Sequence, residues 1–307
     1  MVQLLKHIVI RLKSIKSIKK ITKTMKMVSA SKFTRAEREL EAARPFGYGP
    51  RKFYEGTKLV KGNVDAEEFA LYSKEDIPKK TAHRLQLIER PEDKGKKIKK
   101  IHVAVTSDRG LCGGVHTGIA RRIRRELKNA EPEINKLVCI GEKARGMLYR
   151  TFPQSMLISI KDIGRVPPVF YDAALVAAAI AESGYLYDVG EIFYNKYFSP
   201  VKYELYVIPF FNKVRIETAP NMHAFDEVDD EELTCYLEWT LAALLFFAIK
   251  ESAAAEQSSR MSAMDNATKN ADDMTDHLTL VFNRTRQAVI TRELTEIISG
   301  AAALKNV

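Results

Sequence analysis

The segment with the strongest claim to chemistry is Ser107-Asp-Arg-Gly-Leu-Cys-Gly-Gly114. It follows a β-branched apolar run and precedes a helical pattern. Phosphate-binding loops occupy that position, with a helix N-terminus facing the anion. The residues match neither GxGxxG nor GxxxxGK[ST], and no lysine follows to meet a phosphate. The segment therefore reads as a tight turn rather than a nucleotide loop. The six histidines are scattered and the three cysteines (Cys112, Cys139, Cys235) are far apart, so no metal-ligand spacing, disulfide framework or Ser/His/Asp arrangement emerges. Neither a catalytic residue nor a cofactor is expected.

A second constellation suits binding. Asn283-Arg-Thr-Arg-Gln-Ala-Val-Ile-Thr-Arg-Glu293 places Arg284, Arg286, Gln287, Thr291, Arg292 and Glu293 around one helix near its far end. Exposed guanidinium and amide groups there are suited to bidentate contacts with carboxylates of another protein. Residue chemistry alone leaves a solvated face as an equal account. The other end is basic. Lys6, Arg11, Lys13, Lys16, Lys19, Lys20, Lys23, Lys26, Lys32 and Arg35 occur with no Asp or Glu among them. Net charge over the 307 residues is +10. Such a block attracts a polyanion or an acidic protein surface, against the plainer reading of a solvated helix face. Met25, Met27, Met261, Met264 and Met274 read as packing between helices.

The elements that must carry these residues are unusual. The run from Asp230 to Leu304 has no proline and a single glycine, Gly300. As one helix it would be on the order of 110 Å long. The N-terminal segment reads as a helix from Gln3 to Arg44, interrupted by Pro45, Gly47, Gly49 and Pro50, with resumption through Lys58 left open. Its apolar and small positions (Ile8, Leu12, Ile15, Ile18, Thr22, Met25, Ser29, Phe33) recur at close to 3.6 residues. Ser252–Ala263 is rich in small side chains, which let a second helix approach closely. Apolar positions through Met274, Leu294 and Ile298 extend that helix's packing face toward its end.

Between the helices the period changes. Ile101–Thr106, Lys136–Ile140 and Met156–Ile160 read as strands. Val115–Asn129, Glu142–Thr151 and Tyr171–Glu182 read as helices. Glu191–Asn195 and Lys202–Phe210 read as strands joined near Ser199-Pro200. The fold class expected is α/β: a Rossmann-like, mostly parallel α/β domain inserted between two long terminal helices that form an antiparallel coiled-coil shaft. The domains expected are an N-terminal shaft helix (1–59), an irregular, partly disordered insertion (60–100), an α/β foot (101–225) and a C-terminal shaft helix (226–307).

Hydrophobic residues make up 46% and charged residues 29%, enough apolar material for a core. No run of 18 or more apolar residues occurs, and Leu241–Ile249 is too short to span a bilayer. Met1–Ile10 lacks the apolar centre of a secretory signal, so any targeting segment is expected to be absent or already removed.

Several of these segments resemble the gamma subunit of F-type ATP synthase. Leu12–Lys16 with Lys20–Val28, Thr106–Gly113, Met264–Ala271, Asn283–Leu294 and Ile297–Ala301 occur in the family's order. The wording Arg260-Met-Ser-Ala-Met-Asp-Asn266 is closest to mitochondrial members. The resemblance covers Leu4–Tyr48 and Lys100–Leu304. It implies a non-catalytic central rotor stalk whose shaft lies inside a ring of alpha and beta subunits. Its foot would bind the delta and epsilon subunits and the membrane c-ring on the matrix side of the mitochondrial inner membrane. It implies that Arg286 and Gln287 contact a beta-subunit catch loop. Met25 and Arg260 would be coupling positions near an acidic beta-subunit loop, and Thr291 and Glu293 would be linked with that region. Segment 60–100 departs from the family pattern. The thiol control of chloroplast members is not expected without a close cysteine pair. The competing readings are a basic nucleic-acid-binding protein with helical arms, for which the lysine helix lacks interleaved aromatics, and a doubly wound enzyme, for which no catalytic cluster is found.

Overall fold

The structure, a computed structural model, describes residues 2–65, 85–88, 90, 95, 97–163, 166–225 and 228–305. Most of the segment expected to be irregular and partly disordered lies outside the described residues. By packing, the chain forms two compact units, residues 1–30 with 260–307 and residues 31–259. The long helices α1 (Val2–Gly56) and α6 (Asp230–Lys305) each contribute to both.

The larger unit is built on a five-stranded sheet. Its elements are β3 (Lys100–Val105), α2 (Val115–Leu127), β4 (Asn135–Ile140), α3 (Glu142–Leu148), β5 (Met156–Ile160), α4 (Phe170–Glu182), β6 (Val189–Ser199), β7 (Lys202–Phe211) and a short α5 (Lys213–Glu217). The order is β5-β4-β3-β6-β7, with β7 alone antiparallel. The first two strand–helix alternations return the chain to the adjacent parallel strand, and the third carries it across to β6, parallel beside β3. Ile101, Val103, Val105, Val138 and Ile140 face one side, where α4 and the Leu241–Ile249 stretch of α6 cover them. Ala104, Leu137, Cys139 and Phe193 face the other side, under α2 and α3. Period-2 alternation along each strand feeds both cores, so the strands read as unbroken apolar runs.

One reading is corrected. Pro45 and Pro50 do not end the first helix, which continues to Gly56. Each proline removes one backbone donor and crowds the preceding turn, at about 3 kcal/mol. Tertiary packing outweighs this. Phe46 meets Phe246 edge-on at 5.3 Å between ring centres, Tyr54 is buried, and Arg51 donates to the Gly47 carbonyl at 2.8 Å. Gly47 is a contact device rather than a break: a Cβ there would lie 2.3 Å from the Phe247 ring. The segment expected to be irregular also holds a two-residue ladder, β1 (Val60–Lys61) against β2 (Gln86–Leu87).

Within this unit α1 and α6 run antiparallel. Lys250 bonds Glu39 at 2.8 Å, and Ala254 and Ala255 are fully buried beside Phe33 and Leu40. The small residues thus permit the close approach that their side-chain size suggests. One 18-residue window of α6 is apolar enough by length and composition to cross a membrane, with mean hydropathy 1.5, but 56% of that window is buried.

Candidate partner-contact site

The smaller unit consists of the two ends of the chain. Antiparallel pairing is fixed by three cross-helix contacts: Lys26 with Asp265 at 2.5 Å, the Thr268 hydroxyl donating to Thr22 at 2.8 Å, and Lys19 with Asp272. The hydrogen bonds from Lys26 and Lys269 hold the Asp265 carboxyl below the usual range. The seam is thin. Ile8, Thr22, Ser29, Arg260, Met264 and Ala271 are its buried members.

Most other apolar side chains of this unit face outward. Ile10 is 63% exposed, Ile21 58%, Leu280 70% and Ile297 68%. Met274, Leu294 and Ile298, read from the sequence as packing positions, are also more than half exposed, as is Ile18. The helical spacing is present, but these positions face outward. Two helices cannot bury a full circumference of apolar residues against each other, so a surface of this size implies contact with other molecules.

The candidate residues fall at two places rather than one. Met25 is half-buried and Arg260 is buried, 6% exposed. Arg286, Gln287, Thr291 and Glu293 are all exposed on the last part of α6. The spacing from Arg260 to Arg286 corresponds to about 39 Å along a helix. Arg286 and Glu293, seven residues apart, lie on one face, and Gln287 and Thr291 lie on the adjoining one. The Thr291 hydroxyl donates back to the Gln287 carbonyl at 2.9 Å, and the Arg286 guanidinium lies 5.9 Å from the Phe282 ring centre. The Arg286 and Gln287 head groups have no hydrogen bond or ion pair among the described residues. On α1, Arg11, Lys13, Lys16, Lys20 and Lys23 have no carboxylate partner among the described residues either. The unit thus presents arginine, glutamine and lysine head groups beside uncovered apolar side chains. It can bind carboxylate-bearing surfaces, and among the described residues no metal-binding group occurs.

In the larger unit, the Ser107–Gly114 turn is occupied by its own bonds. The Asp108 carboxylate accepts the backbone N–H of Glu142 at 2.7 Å, at the N-terminus of α3, and that of Asp162 at 2.8 Å. A carboxylate of the chain thus holds the position an anionic ligand would take. The Thr106 hydroxyl donates to the Ile140 carbonyl at 2.7 Å and accepts from Ala144 N–H. Ser259 donates to the Cys112 carbonyl at 2.7 Å. The most perturbed carboxyl, Glu251, is pushed up to about 7 by burial, against the charges of Lys196, Arg44 and Arg51. It accepts the Tyr197 backbone N–H at 2.7 Å.

Comparison with known proteins follows the same line. The ATP synthase family model matches residues 4–304. The chain is 48% identical to the mitochondrial ATP synthase subunit gamma of Drosophila melanogaster, over 98% of this chain and 90% of that one. It is 46% identical to the mitochondrial ATP synthase F(1) complex subunit gamma of Rattus norvegicus, over 98% and 99%. Among solved structures, it is similar to a chain of the Euglena gracilis mitochondrial ATP synthase OSCP/F1/c-ring assembly. The TM-score is 0.73 at 19% identity, covering 99% of this chain and 95% of that one. A chain of the Tetrahymena thermophila mitochondrial ATP synthase central stalk/c-ring has TM-score 0.61 at 27% identity, covering 80% and 99%. None of these relatives supports the nucleic-acid reading.

Proposed function

Because the chain belongs to the gamma-subunit family of ATP synthase, we propose that it is the central rotor shaft of a proton-driven F-type enzyme, transmitting c-ring rotation to the catalytic subunits. The observation that carries this reading is the terminal unit's uncovered surface. Basic, arginine/glutamine and apolar side chains surround a two-helix seam too thin to account for them.

In this reading alpha and beta subunits enclose the terminal unit. Arg286 and Gln287 meet carboxylates of a beta-subunit loop, and Thr291 and Glu293 flank that contact. Met25 and Arg260 are coupling positions. Arg260, being buried in the seam, acts by setting how the two helices meet rather than by touching a neighbour. The α/β unit is the foot, bound to the delta and epsilon subunits and to the c-ring, at the matrix face of the mitochondrial inner membrane. The chain supplies shape and contacts, and the chemistry belongs to its neighbours.

Replacing Arg286 and Gln287 together by alanine tests this. Assembly should persist while ATP synthesis per assembled complex falls. Unchanged synthesis would remove the role of the pair. ATP hydrolysis by the purified chain alone would remove the non-catalytic reading.

A further inference from the structure

A cavity of about 170 Å³ lies beyond the carboxyl ends of the parallel strands, wholly within the larger unit. In open sheets of this kind, ligands bind where successive connections leave the strand ends for opposite faces. Here the connection after β3 leads to α2 on one face, and that after β5 leads to α4 on the other. Arg109 of the first connection and Pro167 and Pro168 of the second both line the cavity. The long helices close it. α1 contributes Ala36 and α6 contributes Ala253, whose short side chains leave the space open. Consecutive prolines have fixed backbone angles and no N–H, so their wall is stiff and apolar.

The charged lining is unequal in sign. Lys32, Arg35, Arg109 and Lys250 face two carboxylates, Glu39 and the buried Glu256. Glu39 is already engaged: one oxygen accepts from Lys250 at 2.8 Å and the other from Arg35 at 2.7 Å. Burial would raise its carboxyl, but these two bonds outweigh it and hold it low. Lys32 is exposed and has no ion pair among the described residues. A surplus of positive charge therefore adjoins an apolar wall. The N-terminus of α3 is closed to an anion, because Asp108 occupies it, so side chains must supply the recognition.

We propose that this cavity binds a small organic carboxylate whose apolar body is a single ring. The ring lies against Pro167, Pro168 and Ala253, and the carboxylate meets the exposed Lys32 and Arg109. A cavity of about 150 Å³ accepts one benzene ring, so the volume suits one ring. Drug-sized ligands need roughly 300–1,000 Å³, which sets nucleotides aside. Guanidinium planes stack on aromatic faces, so Arg35 and Arg109 favour an aromatic ring over an aliphatic one. The bound ligand touches α1, α6 and both connections at once, and so braces the long helices against the sheet. The proposal stands on the cavity and does not depend on the rotor reading.

The test adds 4-azidobenzoate to the assembled complex, irradiates it, and maps the labelled peptides of this chain. Labelling is expected on the stretches that carry Ala36, Pro167 and Pro168, or Ala253. Excess benzoate should suppress it. Benzamide, which keeps the ring without the charge, and acetate, which keeps the charge without the ring, should not at the same concentration. Lys32→Gln should lower labelling about twofold to fivefold, as loss of one exposed charge pair would. Ala253→Leu, which fills the cavity, should abolish it; if that variant does not assemble, Lys32→Gln decides alone. Lys128→Gln, an exposed lysine outside the cavity, should leave it unchanged. No labelling, labelling confined to other stretches, suppression by benzamide or acetate equal to that by benzoate, or labelling indifferent to either cavity variant would each overturn the proposal.

Discussion

Gly47→Ala is predicted to destabilise the larger unit, whereas Gly49→Ala, two residues further along α1, is predicted to stabilise it. Both changes remove a glycine from a helix interior, which by intrinsic propensity gains about 1 kcal/mol. At Gly49 nothing lies within 4 Å of the added Cβ, so that gain is realised. At Gly47 the Cβ would lie 2.3, 2.5 and 2.7 Å from three carbons of the Phe247 ring. Phe247 is fully buried and Arg51 lies over its face at 4.8 Å. The ring has no free volume to enter, so the overpacking cost sits near the top of its range, about 3 kcal/mol. The net effect is a loss of about 2 kcal/mol, and the two variants differ by about 3 kcal/mol. For a unit of this size, Gly47→Ala should lower Tm by roughly 4–8 °C and Gly49→Ala raise it by roughly 2–4 °C. Thermal unfolding followed by circular dichroism reads both. If Gly47→Ala matched or exceeded Gly49→Ala in Tm, the helices would not meet at that glycine and the account of the surviving proline-containing helix would fail.

Further predictions concern charge. Burial alone would raise the Glu191 carboxyl, but the His102 hydrogen bond and the Lys100 charge outweigh it and hold it low. A lowered carboxyl contributes stability above its unfolded value that is lost as pH falls through the folded one. Glu191→Gln should therefore cost about 1–3 kcal/mol at pH 7 and nothing once the wild-type carboxyl is protonated, read from urea midpoints across pH. Asp108→Ala should cost about 1–2 kcal/mol, because two backbone N–H groups lose their acceptor, and hydrogen exchange at Glu142 and Asp162 should rise. Asp265→Asn and Asp272→Asn should each leave the urea midpoint almost unchanged, the ordinary outcome for partly exposed ion pairs, as chemical denaturation would report.

Much of this architecture is legible in the residues. Met156–Ile160 occupies its expected bounds, and the β6–β7 hairpin turns at Ser199 and Pro200, because β-branched runs and turn residues act locally. The course of α1 past Pro45 and Pro50 was not legible. Phe246 and Phe247, which hold it, lie about 200 residues away in sequence, and propensity contains no such term. The same holds for Arg260, whose burial depends on the opposing helix. Arg286, Gln287, Thr291 and Glu293 are set apart from Arg284 and Arg292 by the family resemblance alone, since residue chemistry leaves a solvated face as an equal account; the structure adds that all four are exposed.

The pairing of Thr22 with Thr268 joins residues 246 positions apart. Closing so long a loop costs about 5 kcal/mol of chain entropy. At ordinary rates of synthesis, the first helix waits about 10–50 s before its partner exists. The terminal unit is therefore completed only after residues 260 onward have been made. Throughout that interval the seam side of this basic helix, Ile8, Thr22 and Ser29, has no intramolecular partner, while Val9, Ile10, Ile18 and Ile21 stay exposed even once the seam has closed.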